Sequence, residues 1–76
     1  MNPGDLVRMS NKNANYVWIG SQLERDGKFG IYASGSPLQF SRNEIATVLH
    51  TVEECVEILT PKGTGWINRV FLQVIS

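Results

Sequence analysis

The sequence predicts one mainly β domain, curled into a small barrel of five to six antiparallel strands. Three observations carry that prediction. The chain closes with a Gly63-Thr64-Gly65 turn, the pair Trp66-Ile67, a polar step at Asn68-Arg69, and the apolar strand Phe71-Leu72-Gln73-Val74-Ile75. Asp26-Gly27 stands between two runs of aromatic and β-branched residues, which is a hairpin signal. Residues 44–60 are dense in Ile, Val and Thr, which lose side-chain freedom in a helix and pack well on a pleated face.

Each element follows from its local chemistry. Pro3-Gly4 is a turn, and Asp5-Leu6-Val7-Arg8-Met9 alternates as a first strand. Residues 10–15 are rich in Asn and Ser and form a loop. Tyr16-Val17-Trp18-Ile19-Gly20-Ser21-Gln22-Leu23 is a second strand. Asp26-Gly27 tolerates the positive φ of a tight turn, and Lys28-Phe29-Gly30-Ile31-Tyr32-Ala33 returns. Gly20 and Gly30 inside these runs mark bulges or close backbone approaches. Ser34-Gly35-Ser36-Pro37 reads as a break, and Leu38-Gln39-Phe40-Ser41 as a short edge strand.

Residues 44–60 admit two structures. Ser41 with Glu44 has the capping-box spacing, and Ile45, Val48, Leu49, Val52, Cys55, Val56 and Leu59 follow a helical period. The β-branched load favours a hairpin instead. It pairs residues 45–50 with 55–59 across a turn at Val52-Glu53-Glu54. The Trp66 segment is then expected to seal the seam of a closed sheet, with Trp66 and Phe71 filling its core.

Composition narrows the function classes. Seventy-six residues make a single domain, and a hydrophobic fraction of 42% argues against disorder. A domain this small buries little apolar surface and usually needs a disulfide, a metal or a partner. Cys55 is the only cysteine and His50 the only histidine, so neither an intrachain disulfide nor a Cys/His zinc site can form within one chain. No metal or cofactor is expected, and self-association into a homo-oligomer is the remaining source of stability. Seven basic residues balance seven acidic ones. Arg8, Lys12, Arg25, Lys28, Arg42, Lys62 and Arg69 are scattered, so nucleic acid is not an expected partner. A basic groove assembled in three dimensions stays open. The start of the chain lacks the basic-then-apolar pattern of a signal peptide, and no apolar run is long enough for a bilayer. A lone cysteine suits a reducing compartment, so the expected location is cytoplasmic, in the host if the chain is viral.

Ile45-Ala46-Thr47-Val48-Leu49, Val56-Glu57-Ile58-Leu59, Gly65-Trp66-Ile67 and Phe71-Leu72-Gln73-Val74-Ile75 resemble bacterial and phage Src-homology-3-like domains, as does the opening Pro3-Gly4-Asp5-Leu6-Val7. The resemblance implies a barrel whose first two strands are joined by a long decorated loop, here residues 11–43, and a short 3-10 turn before the last strand. It implies binding and leaves the ligand unnamed. In eukaryotic members, aromatic residues of the long loop and the closing end line a groove for proline-rich peptides. The acidic cluster of that loop is reduced here to Glu24 and Asp26.

Candidate contact residues are Tyr16, Trp18, Tyr32, Trp66 and Arg69. Tyrosine and tryptophan join a large apolar body to a polar end, which suits an interface. Arginine presents a charged fork for carboxylate or phosphate. A catalytic set is missing from the pattern. His50 has no nucleophile at motif spacing, Cys55 reads as a small core residue, and Glu53, Glu54 and Glu57 read as a solvated turn. Gly63-Thr64-Gly65 lacks the lysine and helix start of a phosphate loop. The expected function is therefore a non-enzymatic binding protein, of phage or bacterial origin, that engages a protein partner through an aromatic face. The alternative is an oligomer that sequesters a nucleotide signal in pockets between subunits, using aromatic stacking and arginine.

Overall fold

The structure, a computed structural model describing residues 1–75, contains seven strands and one 3-10 turn. The strands are β1 (Leu6–Met9), β2 (Tyr16–Asp26), β3 (Gly30–Ser41), β4 (Ala46–Val52), β5 (Cys55–Thr60), β6 (Gly63–Asn68) and β7 (Leu72–Val74). They form one antiparallel sheet in the order β3-β2-β6-β5-β4-β1-β7. The sheet curls around a core of Val7, Met9, Ile19, Phe40, Ala46, Val48, Val56, Ile58, Ile67 and Leu72. Strict alternation supplies most of these residues: Val7 and Met9 from β1, Ala46 and Val48 from β4, Val56 and Ile58 from β5. Among the described residues, no helix is long and apolar enough to cross a membrane.

The mainly β expectation holds, and residues 44–60 form the hairpin. β4 and β5 pair from Thr47↔Leu59 to Val52↔Cys55, joined by Glu53 and Glu54, with an extra residue at Leu49. The capping-box pattern has a different physical meaning here. Glu44 does reach back to the Ser41 amide (2.8 Å), but the chain leaves that turn as a strand. The 3-10 turn stands where expected, at Arg69–Phe71, capped by Asn68 Oδ1 accepting from Val70 N at 3.0 Å.

Four expectations are corrected. First, seven strands replace five to six, because residues 11–43 are no decorated loop but mostly a long hairpin that joins the sheet. Second, Ser34-Gly35-Ser36-Pro37 does not break the chain; β3 runs through it. Ser21 on β2 faces the extra residues Gly35 and Ser36, Gly35 takes φ +86°, and Ser36 N donates to Ser21 Oγ at 3.0 Å. Pro37 is tolerated because β3 is an edge. Third, Gly63-Thr64-Gly65 lies inside β6, and the turn is Pro61-Lys62. Thr60 closes it by donating to Gly63 O (2.8 Å) and accepting from Lys62 N (3.1 Å). Fourth, the Trp66 segment seals no seam. β6 is central, between β2 and β5, and the edges β3 and β7 make no ladder with one another among the described residues.

Asp26-Gly27 does sit at a hairpin turn, but the loop is three residues long. Asp26 Oδ1 accepts from Lys28 N at 2.7 Å and Phe29 N at 3.3 Å, and Gly30 takes φ +81° to re-enter the strand. The left-handed residue is thus Gly30, the first strand residue after the loop, where a glycine takes positive φ without steric cost.

Glu44 ties the corner after β3 to the β5–β6 turn. It accepts from Lys62 Nζ at 3.2 Å as well as from the Ser41 amide. The Ser41 amide above all, then Lys62, hold the Glu44 carboxyl below its ordinary value of 4.5, against the opposing pull of desolvation. A depressed folded-state value means that this stabilisation is present in full above the ordinary value and fades as pH falls through the depressed one. Glu44→Gln is expected to lose about 1 kcal/mol at neutral pH. Urea titrations of both proteins should show the gap closing as the solution is acidified. A gap that persisted into strong acid would assign the effect to something other than the carboxylate charge.

Candidate functional site

Alternation along β2 determines which aromatic residues face out. Ile19 enters the core, so its neighbour Trp18 is turned away and is 55% exposed. Tyr16, two residues earlier on the same face, meets Trp18 edge to face with ring centroids 5.2 Å apart. β2 and β3 then bend at the irregularity between Gly20 and Gln22. The bend brings the beginning of β3 against β5 and β6, and the Cys55 thiol points at Ile31 O at 3.7 Å. Tyr32 is thereby delivered to the same surface as Trp18.

The result is a shallow depression of about 220 Å³. Trp18, Tyr32 and Phe71 stand around it, and Ile31, Ala33, Cys55, Ile67 and Asn68 complete its lining. Tyr32 and Phe71 keep 41% and 48% of their surface exposed. Phe71 is presented by the 3-10 turn. Its neighbour Leu72 enters the core and anchors that turn.

Tyr32 is held by a polar network. Its hydroxyl donates to Glu24 Oε2 at 3.1 Å, while Ser34 Oγ and Gln22 Nε2 each donate to Glu24 Oε1 at 3.0 Å. These donors, Ser34 foremost, hold the Glu24 carboxyl below its usual range, and the same carboxylate raises the Tyr32 phenol above its own. Tyr32 therefore stays a neutral donor. Burial, and secondarily Glu53 and Glu54, push the Cys55 thiol upward, so it sits in the groove lining as a neutral, unreactive group.

A second depression of about 470 Å³ adjoins the first and shares Ile31 and Asn68 with it. Its other walls are Phe29, Gly30, Glu53 and Glu54. Glu53 occupies the left-handed region at φ +52°, where glycine is favoured. Both carboxylates are engaged. Arg25 lies 3.8 Å from Glu53, and Arg69 forks onto Glu54 at 2.9 and 3.3 Å.

The structure thus brings Tyr16, Trp18 and Tyr32 together and leaves two other candidates apart. Trp66 pairs across the sheet with Gly20 and Glu57, half-buried and outside the core cluster. Gly65 and Ile67 take the inward positions of β6, so the expected core role of Trp66 is not observed. Arg69 borders the site but is committed to Glu54. Phe71 also leaves the expected core and becomes a groove wall. The signal for it was available in principle, since Phe71 and Leu72 are adjacent and only one could turn inward. Among the described residues, no group of three or more His, Cys, Asp or Glu side chains converges as a metal site.

No family model, curated protein or solved structure matches this chain.

Proposed function

We propose that this chain is a Src-homology-3-like binding module that acts without catalysis, engaging a protein partner through the aromatic groove. One observation carries the proposal. Trp18, Tyr32 and Phe71 converge, half exposed, on a depression whose lining residues are mostly aromatic and aliphatic, with polar and apolar surface in similar shares. Exposed aromatics gathered on one surface, when the same sheet buries Phe40 and Ile19 completely, are typical of interface anchors. The Asn68 amide nitrogen supplies N–H donors at the groove, and the Tyr32 oxygen, its proton given to Glu24, remains an acceptor, so a partner segment with an apolar side chain flanked by a backbone carbonyl and a backbone amide fits its chemistry. The reading extends to a cytosolic protein of phage or bacterial origin. The sheet edges β3 and β7, unpaired among the described residues, supply a route to self-association. A nucleotide pocket built from these aromatics gains nothing from Arg25 or Arg69, since both already neutralise glutamates.

Trp18→Ala is expected to leave the melting temperature within a few degrees of the parent, because the indole is mostly outside the core. The same change is expected to weaken partner binding by about 30-fold or more, the effect of truncating an interface anchor worth roughly 2 kcal/mol. Heteronuclear NMR with a panel of peptides, proline-rich sequences included, provides the measurement. A peptide that shifts the Trp18 indole and the Phe71 amide supports the groove. Equal affinity of the parent and the Trp18→Ala protein would refute it.

A further inference from the structure

The basic residues, scattered in sequence, are sorted by the fold. Arg25, Lys62 and Arg69 pair with Glu53, Glu44 and Glu54, and Lys28 lies over the Phe29 ring at 5.6 Å. The remaining three, Arg8, Lys12 and Arg42, line a single depression of about 360 Å³. Met9, Asn11, Asn43 and Gln73 complete its described lining, and none of these is acidic.

These residues come from three places. Arg8 is on β1, beside Gln73 of β7 in the ladder. Lys12 is in the asparagine-rich loop that follows β1, and Arg42 is in the turn that follows β3. The loop is braced against that turn. Arg42 Nη1 donates to Lys12 O at 3.1 Å, Arg42 N donates to Asn15 O at 2.9 Å, and Asn13 N donates to Asn11 Oδ1 at 2.9 Å. One guanidinium N–H of Arg42 is therefore used to position it, and the others remain as donors.

Three like charges facing one hollow repel each other, and no carboxylate among its described lining residues offsets them. A multivalent oxyanion removes that cost. Arginine forks match phosphate oxygens in pairs, lysine adds a point charge, and the amides of Asn11, Asn43 and Gln73 supply neutral donors for the rest. We propose that Arg8, Lys12 and Arg42 form a binding site for a small phosphorylated ligand, separate from the aromatic groove and independent of its function. A nucleic-acid strand fits less well. Of the other four cations, Arg25, Lys62 and Arg69 are paired with glutamates and Lys28 lies over Phe29, so the neighbouring Lys62 is neutralised by Glu44, and no aromatic ring is among the described lining residues for base stacking.

Two probes at constant ionic strength decide the matter by amide and arginine side-chain NMR: inorganic pyrophosphate and a short single-stranded oligothymidylate. Pyrophosphate is expected to give saturable shifts centred on Arg8, Lys12 and Arg42. Arg8→Gln and Lys12→Gln should each weaken it about tenfold, the loss of one charge-assisted contact. Lys28→Gln should leave it unchanged. Arg42 also braces the loop, so the other two variants decide, with thermal melting confirming that each is folded. Shifts that never saturate, or affinity unchanged in Arg8→Gln and Lys12→Gln, would overturn the site. Oligothymidylate binding more than about tenfold tighter through the same residues would also overturn it, by assigning the hollow to nucleic acid.

Discussion

Phe40→Ala is expected to cost about 3–5 kcal/mol, the loss of an aromatic side chain from a closed core. Phe40 is the largest fully buried side chain, with no solvent exposure, and it sits on an edge strand. A domain of this length has roughly 4–11 kcal/mol of total stability, so the substitution removes a large part of it. At about 4–8 °C per kcal/mol for a domain of this size, the melting temperature should fall by well over ten degrees, or the protein should fail to fold. Phe40→Leu keeps most of the volume and should cost about 1–2 kcal/mol. Urea unfolding of the series gives both values. An alanine variant within about 1 kcal/mol of the parent would mean that the end of β3 frays from the core and that the sheet is narrower than described.

Gly20→Ala is expected to cost about 3 kcal/mol, at the top of the range for overpacking. A Cβ built on Gly20 lands 2.7 Å from Ser34 N and 3.0 Å from Ser34 C, and meets Ser34 O more closely still. These are backbone atoms, so no rotamer change relieves the clash. The hairpin must open at its bend. That bend carries Tyr32 to Trp18, so peptide affinity at the groove should fall together with stability. Gly27→Ala is the matched control. Its Cβ meets nothing within 4 Å and its φ is not positive, so it should be close to neutral. Similar losses at both glycines would show that flexibility, and not the Ser34 contact, is what the chain needs at residue 20.

Parts of this architecture are legible in the sequence itself. Val7 and Met9, Ala46 and Val48, Val56 and Ile58 alternate in the sequence as they alternate between core and solvent. The β-branched load of residues 44–60 outweighed their helical spacing because a pleated face accepts branching at Cβ and a helix turn does not. Gly20 and Gly30 were recognisable as special positions, since a glycine inside a strand pattern has few other uses. The middle of the chain was harder. Gly35 and Pro37 look like punctuation, yet a bulge and an edge position absorb both, and neither circumstance is written locally. The aromatic site was half visible. Tyr16, Trp18 and Tyr32 are identifiable by type, whereas the outward turn of Phe71 and the place of Glu53 and Glu54 beside the groove depend on where distant strands meet.

Residue chemistry alone points to a mainly β fold and favours a hairpin over a helix at residues 44–60, while the short 3-10 turn before the last strand follows from the resemblance to Src-homology-3-like barrels. Short-range sterics, alternation and turn geometry act within a few residues, so they leave a trace in the string of letters. Strand order, the backward bend of β2 and β3, the outward turn of Trp66, and the gathering of Arg8, Lys12 and Arg42 around one hollow came only with the folded chain. Those features rest on contacts between residues dozens of positions apart, and such contacts are set by how the whole sheet buries its apolar face.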